Sequence, residues 1–147
     1  MAKKFRYSFD RRVVDRIYKW FIHRDLAPKN FYLLIVQGRR SGLPRSTPVA
    51  LVEKDGQRWL VAPYGDVNWV LNARAAGEVT LSRGGESETL KLTELSSNEG
   101  ASVLKEYITT YAITRPYFDA KPQSPLDEFV NEASLHPVFE LTTIGRS

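Results

Sequence analysis

The chain has 147 residues, 42% apolar and 26% charged, a composition that fits one ordinary globular domain with a real core and excludes a disordered or fibrous chain. It contains no cysteine, which removes disulfide scaffolds, thiol catalysis, iron–sulfur clusters and thiolate zinc sites. The net charge of +4 is gathered at the front, where the first 25 residues carry eight Lys/Arg against three Asp and leave the remainder nearly neutral.

The longest apolar run, Phe31 to Val36, is about a third of a bilayer-spanning helix. Met1 to Asp10 has basic residues without the apolar stretch and cleavage site of a secretory signal, so a cytoplasmic location is expected. Asp10 then caps a predicted helix reaching Leu26, with Val13, Val14, Ile17, Trp20 and Phe21 recurring at three- and four-residue spacing. Trp20 and Phe21 beside Arg16 and Lys19 suit packing across the fold or peripheral contact with an anionic membrane surface.

Phe31 to Gln37 and Pro48 to Val52 read as strands joined by the loop Gly38 to Thr47. Lys54-Asp55-Gly56-Gln57 is a hairpin turn into a third strand, Arg58 to Ala62. Asp66 is expected to cap a helix that stops at Gly77. Val79 to Ser82 and Thr89 to Leu95 alternate about Gly84-Gly85 as another hairpin. Ser96 and Glu99 form a capping box for a helix through Val103, Leu104, Tyr107, Ile108 and Tyr111. A loop over Pro116 to Pro125, a short helix over Leu126 to Ala133 and a strand over Pro137 to Ile144 complete the chain. Six strands in hairpins and few helices predict a single α+β domain over 1–147, its antiparallel sheet curled into a barrel that protects the edges.

Residues for acid–base or metal chemistry are scarce. His23 and His136 stand apart from any second ligand and read as surface or packing residues, so no metal site is expected. Glu86 and Glu88 flank a hairpin turn as a solvated edge. Nucleophile elbow, Walker loop and Rossmann fingerprint are all missing, and a chain without evident catalytic side chains is still able to be an enzyme if a cofactor carries the reaction.

Two stretches stand out. The loop Gly38 to Pro48 concentrates Arg39, Arg40 and Arg45 with hydroxyls at Ser41, Ser46 and Thr47, and no acid occurs between Phe31 and Val52. Glycine allows close approach of a ligand and arginine supplies forked donors, so the loop suits a phosphate or a chain of carboxylates; it is equally a long connection kept soluble by arginine. Ala62 to Trp69, running on to Asn72, offers a strand end, a Gly turn, a helix N-terminus and an indole, which together can hold a planar heteroaromatic ring. Trp69 as core and Asn72 as a local hydrogen-bonding residue is the competing reading.

Gly-Arg-Arg-Ser-Gly-Leu-Pro-Arg at Gly38 to Arg45, the pair Thr47-Pro48, and Trp69-Val70-Leu71-Asn72-Ala73 before Gly77 together resemble the actinobacterial deazaflavin-dependent nitroreductases and quinone reductases. The resemblance covers Phe31 to Leu81, with weaker support in Pro137 to Thr142. It implies a split β-barrel with flanking helices and an 8-hydroxy-5-deazaflavin, coenzyme F-420, that delivers a hydride to a quinone, a nitro compound or a similar electrophile. The coenzyme tail would lie against Arg39, Arg40, Ser41 and Arg45, with Gly38, Gly42, Ser46, Thr47 and Pro48 completing that wall. The ring would lie beside Val61, Ala62, Pro63, Tyr64 and Gly65, with Val67, Asn68, Trp69 and Asn72 at the following helix. A substrate-side tyrosine is expected among Tyr107, Tyr111 and Tyr117, with Tyr111 placed first. Many members have Ser then Gly-Gly before this helix, and Tyr or His just before the Asn. Pro63-Tyr64-Gly65-Asp66 and Val70-Leu71 stand there in this chain, so its substrate-facing surface departs from the family's.

Other readings keep the barrel as a non-catalytic carrier of FMN, haem or fatty acid, or replace the deazaflavin by FMN. Nucleic acid is disfavoured because aromatics are not interleaved with the basic loop. A small-molecule electron acceptor is the expected partner, and monomer and homodimer are both compatible.

Overall fold

The computed structural model describes residues 30–144, and the helix expected over Asp10 to Leu26, with His23 in it, lies outside them. The elements run β1 (Phe31–Gln37), β2 (Pro44–Lys54), β3 (Gln57–Val61), α1 (Asn68–Ala76), β4 (Glu78–Arg83), β5 (Glu86–Glu94), α2 (Ser97–Thr110), a 3-10 helix (Ala112–Tyr117), α3 (Leu126–Ala133) and β6 (Val138–Thr143). All pairings are antiparallel, and the order β1-β2-β3-β6-β5-β4 closes because β4 pairs back onto β1. This is the α+β barrel with flanking helices that the hairpin pattern and the resemblance imply.

The turns follow their residues. Asp55 and Gly56 both take positive φ, 53° and 79°, as do Gly84 and Gly85 at 58° and 84°, the geometry that matches the twist of two-residue hairpins. Ser96 and Glu99 complete the expected box, with the Glu99 N–H donating to Ser96 Oγ at 3.2 Å and the Ser96 N–H to Glu99 Oε1 at 3.1 Å.

Alternation along the strands makes two cores. Leu51, Leu60 and Phe139 point into the barrel with Leu34, Leu90 and, from α1, Val70 and Ala73. Their neighbours Val52, Val61 and Val138 point out, against Leu104 and Ile108 of α2 and Phe129 of α3. Strands apolar on both faces therefore mark the side that α2 and α3 cover. Phe129 and Phe139 are fully buried, and truncating either to Ala costs about 3–5 kcal/mol.

Among the boundaries that differ from expectation, β5 starts at Glu86 instead of Thr89, the 3-10 helix takes Pro116 and Tyr117 from the expected loop, and two others bear on the site. β2 begins at Pro44, so the connection is only Gly38–Leu43, and Arg45, Ser46 and Thr47 are strand residues opposite Val36, Ile35 and Leu34. Proline is tolerated at 44 and 48 because β3 joins β2 only from Leu51 onward, leaving the first half of β2 with one side unpaired among the described strands. The second difference is at α1, where Val67 occupies the N-cap with no side-chain cap bond. Asp66 instead pairs with Arg74 at 3.1 Å, a residue that also pairs with Glu94 at 2.8 Å.

Candidate functional site

The loop Gly38–Leu43 is closed by its own backbone: Gly38 N–H donates to the Leu43 carbonyl at 2.8 Å and Gly42 N–H to the Gly38 carbonyl at 2.9 Å. Gly42 needs its φ of 72° for this, and a Cβ on Gly38 would meet Ser41 Oγ at 2.8 Å and the Leu43 carbonyl at 3.2 Å. Ser41 Oγ in turn accepts from the Leu43 N–H at 3.1 Å.

Asn72, buried on α1, fastens this loop to the helix. Its Oδ1 accepts from the Arg39 backbone N–H at 3.1 Å and from Arg39 Nη1 at 2.7 Å. Between loop, β2 and helix lies a cavity of about 360 Å3 lined by Gly38, Arg39, Arg40, Ser41, Arg45, Ser46, Thr47, Asn68, Trp69 and Asn72. The two stretches singled out in the sequence thus form one site. Trp69 is half-buried, its indole tilted against Phe139 at 6.2 Å, so it serves core and cavity together.

Two of these arginines differ from the ion-paired arginines elsewhere, and from Arg115, whose guanidinium is held by the Ile108 and Thr109 carbonyls. Arg58 is paired with Glu88 and Arg74 with Asp66 and Glu94, whereas Arg40 and Arg45 have no acidic partner among the described residues. Clustered guanidinium groups without a countercharge favour an anionic ligand. Arg39 is the exception, since one arm is held by Asn72.

Several expected residues lie outside this cavity. Gly42 shapes the loop, and Pro48 sits in β2 opposite Leu33. Val61 is in the outer core and Ala62 in the barrel core. Val67 caps α1 and packs on the barrel core, while Pro63, Tyr64 and Gly65 form the turn before it. Tyr64 meets Tyr117 edge-on, with ring centroids 4.8 Å apart. Tyr107 is buried, and the Tyr111 hydroxyl donates to the Leu51 carbonyl at 2.6 Å. Burial pushes the Tyr111 hydroxyl above the usual phenol range. None of the three tyrosines lines the arginine cavity. Glu132 and His136, read past or taken as packing in the sequence, form a buried pair beside Pro63; their i, i+4 spacing was the available signal.

The donor set fits the tail of coenzyme F-420, a phosphate followed by carboxylates, because Arg40 and Arg45 supply charge while Ser41, Ser46 and Thr47 supply hydroxyls. The indole of Trp69 adds an apolar wall for a planar ring.

The fold is shared with known structures. The chain is similar to one described as an F420-H2 dependent reductase (FDR-A), at 24% identity over 77% of this chain and 94% of that one, with a TM-score of 0.55. A domain-swapped dimer is similar at 21% identity over 90% and 92%, with a TM-score of 0.56. A NimC/NimA family protein from Clostridium acetobutylicum matches at 12% identity over 77% and 73%, with a TM-score of 0.52. No curated protein matches the chain. The model of the family described as F420H(2)-dependent quinone reductase matches residues 11–120, which include the arginine loop, the first half of β2 and all of α1. With well over half its length matched, the chain belongs to that family and is a reductase that uses coenzyme F-420.

Proposed function

We propose that the protein reduces a quinone-type acceptor at the cavity between the arginine loop and α1. The observation that carries this reading is the pairing of two guanidinium groups with no acidic partner among the described residues, Arg40 and Arg45, with the indole of Trp69 across one cavity, in a chain of this family. When bound, the reduced deazaflavin supplies a hydride.

The chain's part is binding, orientation and proton supply. Arg40, Arg45 and the hydroxyls of Ser41, Ser46 and Thr47 hold the anionic tail, and Asn72 holds the loop that carries them. Trp69 and Asn68 wall the side toward the ring, and the turn Pro63–Gly65 leads into them. Tyr117 replaces Tyr111 as the preferred proton donor, because the Tyr111 hydroxyl is engaged by Leu51 whereas Tyr117 stands half-buried against Tyr64 of that turn.

The test is a titration followed by turnover. Tight binding of oxidised coenzyme F-420, weaker binding of FMN, and quinone-dependent bleaching of the reduced coenzyme are expected. Binding without bleaching by any quinone would make the protein a carrier, and bleaching by nitro compounds alone would reassign the acceptor.

A further inference from the structure

The turn that feeds α1 is held from behind by a buried ionisable pair. Glu132, near the end of α3, and His136, four residues on, are 5% and 6% exposed, with His136 Nε2 3.4 Å from Glu132 Oε2. The other ring nitrogen, Nδ1, lies 2.8 Å from the Pro63 carbonyl. A carbonyl oxygen only accepts, so Nδ1 carries a proton and Nε2 is left facing the carboxyl. Glu132 Oε1 accepts from the Asp119 N–H at 3.0 Å, and Oε2 has no hydrogen-bond partner among the described residues.

Two buried lone pairs facing each other repel, so this contact calls for one further proton on the pair. Burial pushes the Glu132 carboxyl up, with Asp119 and Glu128 adding to the effect, and pushes the His136 imidazole down against the opposing pull of the Pro63 and Ala62 carbonyls and Asp119. Both directions favour the neutral partition of that proton.

Three segments meet at this pair. Phe118 lies flat on the imidazole with centroids 3.9 Å apart, and Tyr117 before it meets Tyr64. Ala62 N–H donates to the Pro137 carbonyl at 2.9 Å, and a Cβ on Gly65 would come within 3.3 Å of the Leu135 carbonyl. The segment after α3 therefore straps the turn Pro63–Gly65, three residues before Asn68.

We propose that His136 is a positioning residue for the coenzyme: protonated on Nδ1, it fixes the Pro63 carbonyl and so sets Asn68 and Trp69 opposite the arginine loop. This rests on reading the arginine cavity as the coenzyme site.

Histidine 15N resonances of the unaltered protein read the tautomer directly. A protonated Nδ1 on His136 is expected, and an unprotonated one overturns the proposal. Coenzyme titrations read the role. His136→Asn keeps a donor at the Nδ1 position, and Glu132→Gln keeps an acceptor for Asp119 and a donor toward Nε2, so both should hold the Kd within about threefold, while His136→Leu raises it about tenfold, the size of one lost hydrogen bond. Turnover at saturating coenzyme should stay within about threefold in all three, a split that general unfolding does not produce. Equal losses in His136→Asn and His136→Leu overturn the proposal, as does wild-type affinity in a folded His136→Leu. Arg45→Ala serves as the control for the cavity itself: if it weakens binding and His136→Leu does not, the positioning role alone fails.

Discussion

Asn72 accepts two hydrogen bonds from Arg39 across 33 residues of sequence, one from the backbone and one from the guanidinium. One buried amide oxygen therefore sets the distance between α1 and the arginine loop. It also draws Arg39 toward the helix and leaves Arg40 and Arg45 lining the cavity with no acidic partner among the described residues.

Replacing Asn72 by Ala should leave the Arg39 N–H without its acceptor and cost about 1–3 kcal/mol of stability. Coenzyme affinity should fall at least tenfold, by roughly 1.4 kcal/mol or more, because the loop loses its anchor. Denaturant unfolding and a coenzyme titration check the two effects separately, and Asn72→Asp, which retains the acceptor, should preserve more stability than Asn72→Ala.

Arg45→Ala and Arg40→Ala should each weaken coenzyme binding by roughly tenfold, the loss expected of one charge-assisted contact. The deficit should shrink as salt rises, since screening weakens the same attraction in the wild-type protein. Titrations at low and high salt settle this; equal affinity of variant and wild type at both would remove these arginines from the site.

The tyrosines divide by environment. Tyr111→Phe should leave turnover close to wild type and cost about 1 kcal/mol of stability, because its hydroxyl serves the Leu51 carbonyl. Tyr117→Phe should lower turnover by about a hundredfold with coenzyme affinity kept, the usual size of lost general-acid help. Steady-state kinetics on both variants decide between them, and full activity in Tyr117→Phe would assign the proton to water.

At the start of α2, hydrogen bonds from the Ser96 backbone and hydroxyl hold the Glu99 carboxyl below the ordinary carboxylate range. A depressed pKa stabilises the fold above the unfolded value, about 4.3, and the contribution vanishes as pH falls through the folded value. Wild type should therefore melt above Glu99→Gln at neutral pH and converge with it below about pH 4. Ser96→Ala should cost about 1 kcal/mol at neutral pH. Melting curves of the three proteins across this range provide the check.

What the sequence made legible was whatever its neighbours decide. Asp55-Gly56, Gly84-Gly85 and the Ser96–Glu99 box are satisfied within a few residues, so their chemistry shows in the text of the chain. β1, an apolar run stopped by glycine, falls on the residues expected. The start of β2 was hidden because proline argues against a strand unless one side is known to be free, and that depends on where β3 begins. At the site, the residue types were visible and the partners were not. Arg39 with Asn72, Tyr111 with Leu51, and His136 with Pro63 are each joined by tertiary packing over 33 to 73 residues. The competing reading of Asn72 as a local hydrogen-bonding residue had the bond right and its range wrong.

The position of β6 governs the order in which this chain can fold. β1, β2 and β3 form one meander and β4 with β5 one hairpin, each from sequence neighbours. β6 alone bridges β3 and β5, joining Leu60 to Phe139 across nearly eighty residues. Even once β4 has joined β1, β3 and β5 each keep an unpaired edge until Val138–Thr143 arrives, so closing the barrel waits on the longest loop closure in it. During synthesis those edges persist while the two helices that cover the outer face are already made, which exposes the nascent chain to edge-to-edge association until its last strand docks.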